Sequence, residues 1–92
     1  MREQPDYFYA QSAVIPVRRR GERWQILLIT SRRGRRWIVP KGVIEPDLSP
    51  ADSAAKEALE EAGVQGVLLS EQLGFYQYEK WGGICNVQVF VM

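Results

Sequence analysis

Ninety-two residues, 46% hydrophobic and 25% charged, suffice for one small globular domain. No apolar run approaches the roughly 20 residues that span a bilayer, and the opening MREQPDYFYAQS does not read as a secretory leader. A lone Cys85 and the absence of histidine exclude an internal disulfide and a Cys/His zinc cage, so a reducing, cytoplasmic setting is the default expectation.

The net charge of +1 conceals an asymmetry. Residues 1–45 carry ten Lys/Arg against four Asp/Glu, and residues 46–92 carry two against seven. A basic half beside an acidic half suits an anionic ligand that is met together with a metal cation.

In chain order, residues 12–17 (SAVIPV) are β-prone, and Pro16 points to an edge or a bulge. The polar RRRGER segment turns the chain into WQILLIT (24–30), whose nearly continuous apolar run predicts a strand buried on both faces. SRRGRR follows as a turn around Gly34, and WIVP gives a short strand stopped by Pro40. Residues 40–48 contain Gly42, Pro46 and Asp47 and read as a structured loop.

Ser49-Pro50-Ala51-Asp52 then starts a helix. Ser49 is placed to cap it, Pro50 fits its first position, and Asp52 stands where a capping-box acid would. Good helix formers run to Ala62, and Gly63 suits the left-handed residue that ends a helix. Beyond it, residues 64–80 predict a broken or bulged strand, Trp81-Gly82-Gly83 a hairpin turn, and ICNVQVFVM another strand. Strands, one helix, then strands predict a mixed α+β domain.

The helix poses the chemical question. At about 100° per residue, Glu57, Glu60 and Glu61 fall within one arc of about 100° flanked by Lys56. Ala51, Ala55, Ala58, Leu59 and Ala62 fall on the other side, which predicts that this small apolar side lies against a sheet. Like charges three and four residues apart cost a few tenths of a kcal/mol per pair when exposed, and more when partly buried. A solvated acidic face accounts for many such helices. A divalent cation such as Mg²⁺ or Mn²⁺, which takes carboxylate and carbonyl oxygens, is the alternative, and the PKG turn upstream offers backbone carbonyls and amides.

Residues 42–64 resemble the Nudix box of the MutT-like hydrolases. The pattern is Gly, five residues, Glu, seven residues, then Arg-Glu-aliphatic-x-Glu-Glu-x-Gly-aliphatic. Gly42 stands first, and Lys56-Glu57-Ala58-Leu59-Glu60-Glu61-Ala62-Gly63-Val64 closes it with the spacing intact. The flanking RRWIVPKG, Glu45-Pro46 and EEAGVQG are similar to the branch that hydrolyses diphosphoinositol polyphosphates and diadenosine polyphosphates. Three positions depart from the pattern: Leu48 stands for the first glutamate, Lys56 for the arginine and Ala58 for a larger aliphatic residue. Lysine keeps the charge but loses the planar fork of arginine, and Glu45 is a candidate to compensate for Leu48.

The resemblance implies a single Nudix domain over residues 1–92, an α/β/α sandwich with a mixed sheet, of which this chain holds the Nudix-box helix. Family members usually continue into a further strand and helix, so the domain reads as shortened at its C-terminus. A final strand left exposed there would pair with a second copy. The implied activity is Mg²⁺-dependent hydrolysis of a pyrophosphate bond in a nucleoside diphosphate linked to another moiety, with Mn²⁺ as the alternative ion. Glu57, Glu60 and Glu61 would hold the metal with the Lys41 carbonyl and form the catalytic set, and the family leaves open which glutamate serves as base. Arg18, Arg32, Arg36, Lys41 and Gly42 would contact the substrate. A sensor domain with weakened catalysis is the second reading, and nucleic-acid binding is disfavoured because the acidic helix would repel a phosphate backbone.

Overall fold

The computed structural model describes residues 1–69 and 71–92. A short 3-10 helix (Asp6–Tyr9) leads into β1 (Ala10–Ile15), followed by β2 (Val17–Arg20), β3 (Arg23–Ile26), β4 (Ile29–Thr30), β5 (Trp37–Ile38) and β6 (Lys41–Val43). The helix α1 (Pro50–Ala62), β7 (Gly74–Lys80) and β8 (Gly83–Val91) complete the chain. Four strands form a mixed sheet in the order β6-β1-β8-β7, in which only β1 and β8 run parallel. The α+β expectation holds, and the chain supplies one helical layer to the sheet.

The strand buried on both faces is β1, not residues 24–30. Gln11, Ser12, Ala13 and Val14 are all buried, because β1 has partners on both sides and α1 above it. Pro16 ends this strand and does not mark an edge, and its carbonyl accepts the Leu27 N–H at 2.9 Å. The WQILLIT run is divided instead. Its first part forms the β2–β3 hairpin, a separate two-stranded sheet in which Trp24 is 69% and Ile26 60% exposed. Leu27 and Leu28 leave the strand before β4 pairs with β5. Residues 41–43, expected as loop, form the sheet's edge strand, with Gly42 opposite Ser12 and Lys41 opposite Ala13.

The helix begins and ends as its sequence requires. Ser49 Oγ accepts the Asp52 N–H at 3.0 Å. Gly63 sits at φ 66°, and its N–H closes on the Leu59 carbonyl at 3.0 Å, the left-handed cap, while the Val64 N–H reaches the Ala58 carbonyl at 3.2 Å. Of the capping box, only the serine half forms among the described hydrogen bonds. The small core under the helix joins Val14, Ala54, Ala58 and Phe90, edged by Ala51, Val64, Leu68 and Met92.

The predicted turn between β7 and β8 is a two-residue hairpin loop with Trp81 at φ 52° and Gly82 at φ 67°. Positive φ at both central positions is the turn that matches strand twist. The C-terminal strand is not exposed as an edge, because β8 pairs with β1 on one side and β7 on the other. The edges of the four-stranded sheet are β6 and β7 instead.

Candidate active site

The face of α1 that meets the sheet differs from the one its alanine pattern predicts. Ser53, Ala54 and Ala58 are buried, while Leu59 is 47% exposed. At about 100° per residue that arc contains Glu57, so the carboxylates run along the sheet instead of facing away from it. Two fastenings fix this rotation: Ser12 Oγ donates to the Pro50 carbonyl at 2.7 Å, and Ser53 Oγ accepts the Glu45 N–H at 3.2 Å. With alanines at 54 and 58 the helix can lie close to β1.

Glu57 consequently lies against the edge strand β6. A Cβ built on Gly42 would overlap the Glu57 carboxylate, so glycine is what leaves that space. Partial burial pushes the Glu57 pKa up from 4.5 to about 7, with the neighbouring charges of Glu61 and then Glu60 adding to the rise and Lys56 opposing it. Glu61 is exposed, and its Oε1 accepts the Lys41 N–H at 2.8 Å. Glu60 is exposed and stands 3.8 Å from Lys56 Nζ.

Lys56, which stands where the box has arginine, donates to Glu45 Oε1 at 2.6 Å, and this bond to Glu45 raises its pKa. It thus bridges the loop acid Glu45 and the helix acid Glu60 with a single ammonium. Leu48 is half-buried just before the cap and brings no oxygen of its own side chain. Among the described residues no three His, Cys, Asp or Glu side chains converge into a finished metal cage.

A sequence profile of the NUDIX domain matches residues 8–91. The chain belongs to the Nudix family. Diphosphoinositol polyphosphate phosphohydrolase 3-beta of Bos taurus is 41% identical over 64 residues, which cover 70% of this chain and 39% of that protein. Nudix hydrolase 16, mitochondrial, of Arabidopsis thaliana is 42% identical over 80 residues, covering 78% of this chain and 44% of that protein. The chain therefore spans less than half the length of these curated relatives. The crystal structure of C. elegans Ap4A hydrolase is similar in fold, with a TM-score of 0.78 at 20% identity over 90% of this chain and 65% of that one. A MutT/nudix family protein from Enterococcus faecalis gives 0.68 at 22% identity, over 90% and 36%.

Of the residues singled out from sequence, this Nudix domain brings Lys41, Gly42, Glu57 and Glu61 together at the β6 edge, with Glu60 beside them. Lys41 has its pKa lowered, first by burial, with Arg36 adding a smaller push and Glu61 and Glu57 opposing. Arg36 therefore stands within electrostatic reach of the site. Arg32 is exposed in the β4–β5 turn, with no hydrogen bond or ion pair to any described residue. Arg18 is elsewhere: its Nε donates to Gln25 Oε1 at 2.7 Å across the hairpin. There it lines a cleft of about 790 Å³ with Val64, Val67 and Met92, away from the acidic edge.

Two residues near the site escape the sequence reading. Lys41 Nζ donates to Tyr78 Oη at 2.8 Å, and Tyr78 Oη donates to Gln11 Oε1 at 2.7 Å. Counting outward from the Trp81-Gly82 turn puts Tyr78 opposite Cys85, and strand alternation makes that face the one bearing Gln11. The signal was present in the register of the hairpin. Cys85 itself is buried, as expected of a small apolar side chain. No helix among the described residues is long and apolar enough to cross a membrane.

Proposed function

We propose that this Nudix domain hydrolyses a phosphoanhydride bond in a small-molecule substrate, such as a dinucleoside polyphosphate or a diphosphoinositol polyphosphate. The observation that carries this reading is the seating of the Glu57 carboxylate in the space left by Gly42, with Glu61 on the neighbouring Lys41 amide. The donor set fits a hard divalent ion. A half-buried carboxylate at Glu57, repelled by the exposed Glu60 and Glu61 and next to the Lys41 backbone, offers the oxygen ligands Mg²⁺ or Mn²⁺ takes. Glu57, Glu60, Glu61 and the Lys41 carbonyl would hold it.

When bound, such an ion neutralises phosphoryl oxygens and lowers the pKa of a water. The chain's own residues do the remaining work. Glu57, seated against β6 in the space left by Gly42, would orient or deprotonate the attacking water. Lys41 and Arg36 offer positive charge to the phosphates, and Glu61 holds the edge strand in register with the helix. Lys56 ties the box loop to the helix through Glu45.

The test is Mg²⁺-dependent phosphate release from diadenosine polyphosphates, inositol pyrophosphates, nucleotide sugars and nucleoside triphosphates. Glu61→Gln keeps an oxygen to accept the Lys41 N–H but removes a charge. It should abolish turnover while leaving the metal-free melting temperature unchanged or raised. Full turnover in that variant refutes the assignment. Silence across the panel with ligand still bound would favour a sensor, and no calorimetric uptake of Mg²⁺ or Mn²⁺ at millimolar levels would remove the metal site.

A further inference from the structure

The sheet face opposite α1 carries two polar groups, Gln11 and Tyr78, that the proposed chemistry does not use and that lead to Lys41. Gln11 is buried in the central strand, and its Nε2 faces the Phe8 carbonyl at 3.4 Å and Cys85 Sγ at 3.7 Å. With the amide nitrogen turned that way, Oε1 is left as an acceptor for Tyr78. The phenol must therefore give its only proton to Gln11 and turn its lone pairs outward. Lys41 Nζ donates into those lone pairs at 2.8 Å, and the ammonium stands 4.5 Å from the centre of the Tyr78 ring.

We infer that Tyr78 and Gln11 are positioning residues: they hold the Lys41 ammonium through one N–H and leave its other two N–H groups for an anionic oxygen. The inference rests on the proposed function for the presence of a phosphate at Lys41. Its own content is the direction of the hydrogen bonds. A buried glutamine amide sets the phenol, the phenol sets the ammonium, and a four-carbon side chain that would otherwise sample many rotamers is given one. Lys41 also lends its amide to Glu61. The same residue thus joins the acidic edge to the opposite sheet face, and an error in its side chain displaces charge close to the Glu57 carboxylate.

The experiment is a double-mutant cycle on Lys41→Met and Tyr78→Phe, reading calorimetric binding of a methylene-bridged, nonhydrolysable diadenosine tetraphosphate in Mg²⁺. Loss of one charge-assisted hydrogen bond should weaken binding about tenfold in Tyr78→Phe. The double variant should bind no more weakly than Lys41→Met alone, because the phenol acts only through the ammonium. Losses that multiply, or unchanged binding in Tyr78→Phe, overturn the inference. So does a wild-type protein that does not bind the analogue, while hydrolysis of the other panel substrates reports separately on the activity. In turnover of diadenosine tetraphosphate, Tyr78→Phe should raise KM with kcat within about twofold. A general loss of folding would instead lower the melting temperature and both constants. Gln11→Met, isosteric and apolar, should reproduce the KM effect, and Tyr78→Phe, which removes a single oxygen from a half-buried ring, keeps the cycle readable if that buried variant fails to fold.

Discussion

In the folded chain the Glu57 carboxyl titrates near 7, against 4.5 in an open chain. Between those values the folded state holds more protons than the unfolded state, so stability falls as pH rises and the loss is complete above the folded pKa. Metal-free melting temperatures should therefore drop between about pH 5 and pH 8, and Glu57→Gln should flatten that part of the profile. An identical slope in the variant would mean that another group carries the dependence. Saturating Mg²⁺ should also shrink the slope, since a bound cation favours the ionised form. Gly42 is the other half of this contact. Gly42→Ala forces the Glu57 carboxylate from its place, and a displacement on the order of 1 Å can cost about a hundredfold in rate. The drop should appear in kcat of phosphate release, with far-ultraviolet circular dichroism unchanged. Glycine at 42 was legible as the opening of the box, but its physical duty was not: only the register of β6 on β1 reveals which side chain fills the space.

At the scale of elements, the helix was readable at both ends and misread on its face. Ser49, Pro50 and Gly63 act locally, so the sequence alone places the boundaries. Which side turns inward depends on Ser12, which reaches Pro50 from a distant strand, and on Ser53, which fastens the box loop at Glu45, and the alanine count pointed the other way. The same reason separates the turn from the strands. Gly82 carries its own backbone preference for the left-handed turn, whereas WQILLIT is apolar enough for a core that β1 occupies instead. Losing the cap should be a local event with a bounded effect. Ser49→Ala should lower unfolding free energy by about 1 kcal/mol, measured by urea denaturation with an unchanged m-value. The box loop reaches the helix through Ser53 and Lys56 as well, so the variant should keep most of its metal affinity. A large loss of affinity would show that the cap also positions the carboxylates.

Across the whole molecule, order is concentrated where the sheet and helix meet. β1 and β8 share a parallel register from Ala10 opposite Asn86 to Ile15 opposite Val91, and the side chains of Val14, Val87 and Cys85 are fully buried there. The N-terminal segment is tied to the far turn, with Tyr9 Oη donating to the Trp81 carbonyl at 2.5 Å and accepting the Glu3 N–H at 3.1 Å. The β2–β3 hairpin is held at its base, where the Val17 N–H donates to the Met92 carbonyl at 2.9 Å, and far less beyond it. Its strands pair only with each other, all four residues of β3 are exposed, and Arg20 stands directly opposite Arg23. Like charges facing across a strand pair destabilise it, and a two-stranded ribbon is marginal in water. The free energy of local opening should therefore differ sharply between the two parts of one small domain. Native-state hydrogen exchange provides the measurement. Amides in the hairpin should exchange at least about a hundredfold faster than those of Val14 and Val87, and Arg20→Thr should slow the hairpin without moving the central strands. Equal protection in both regions would mean that the hairpin opens only with global unfolding, and that the chain behaves as one cooperative unit from Val17 to Met92.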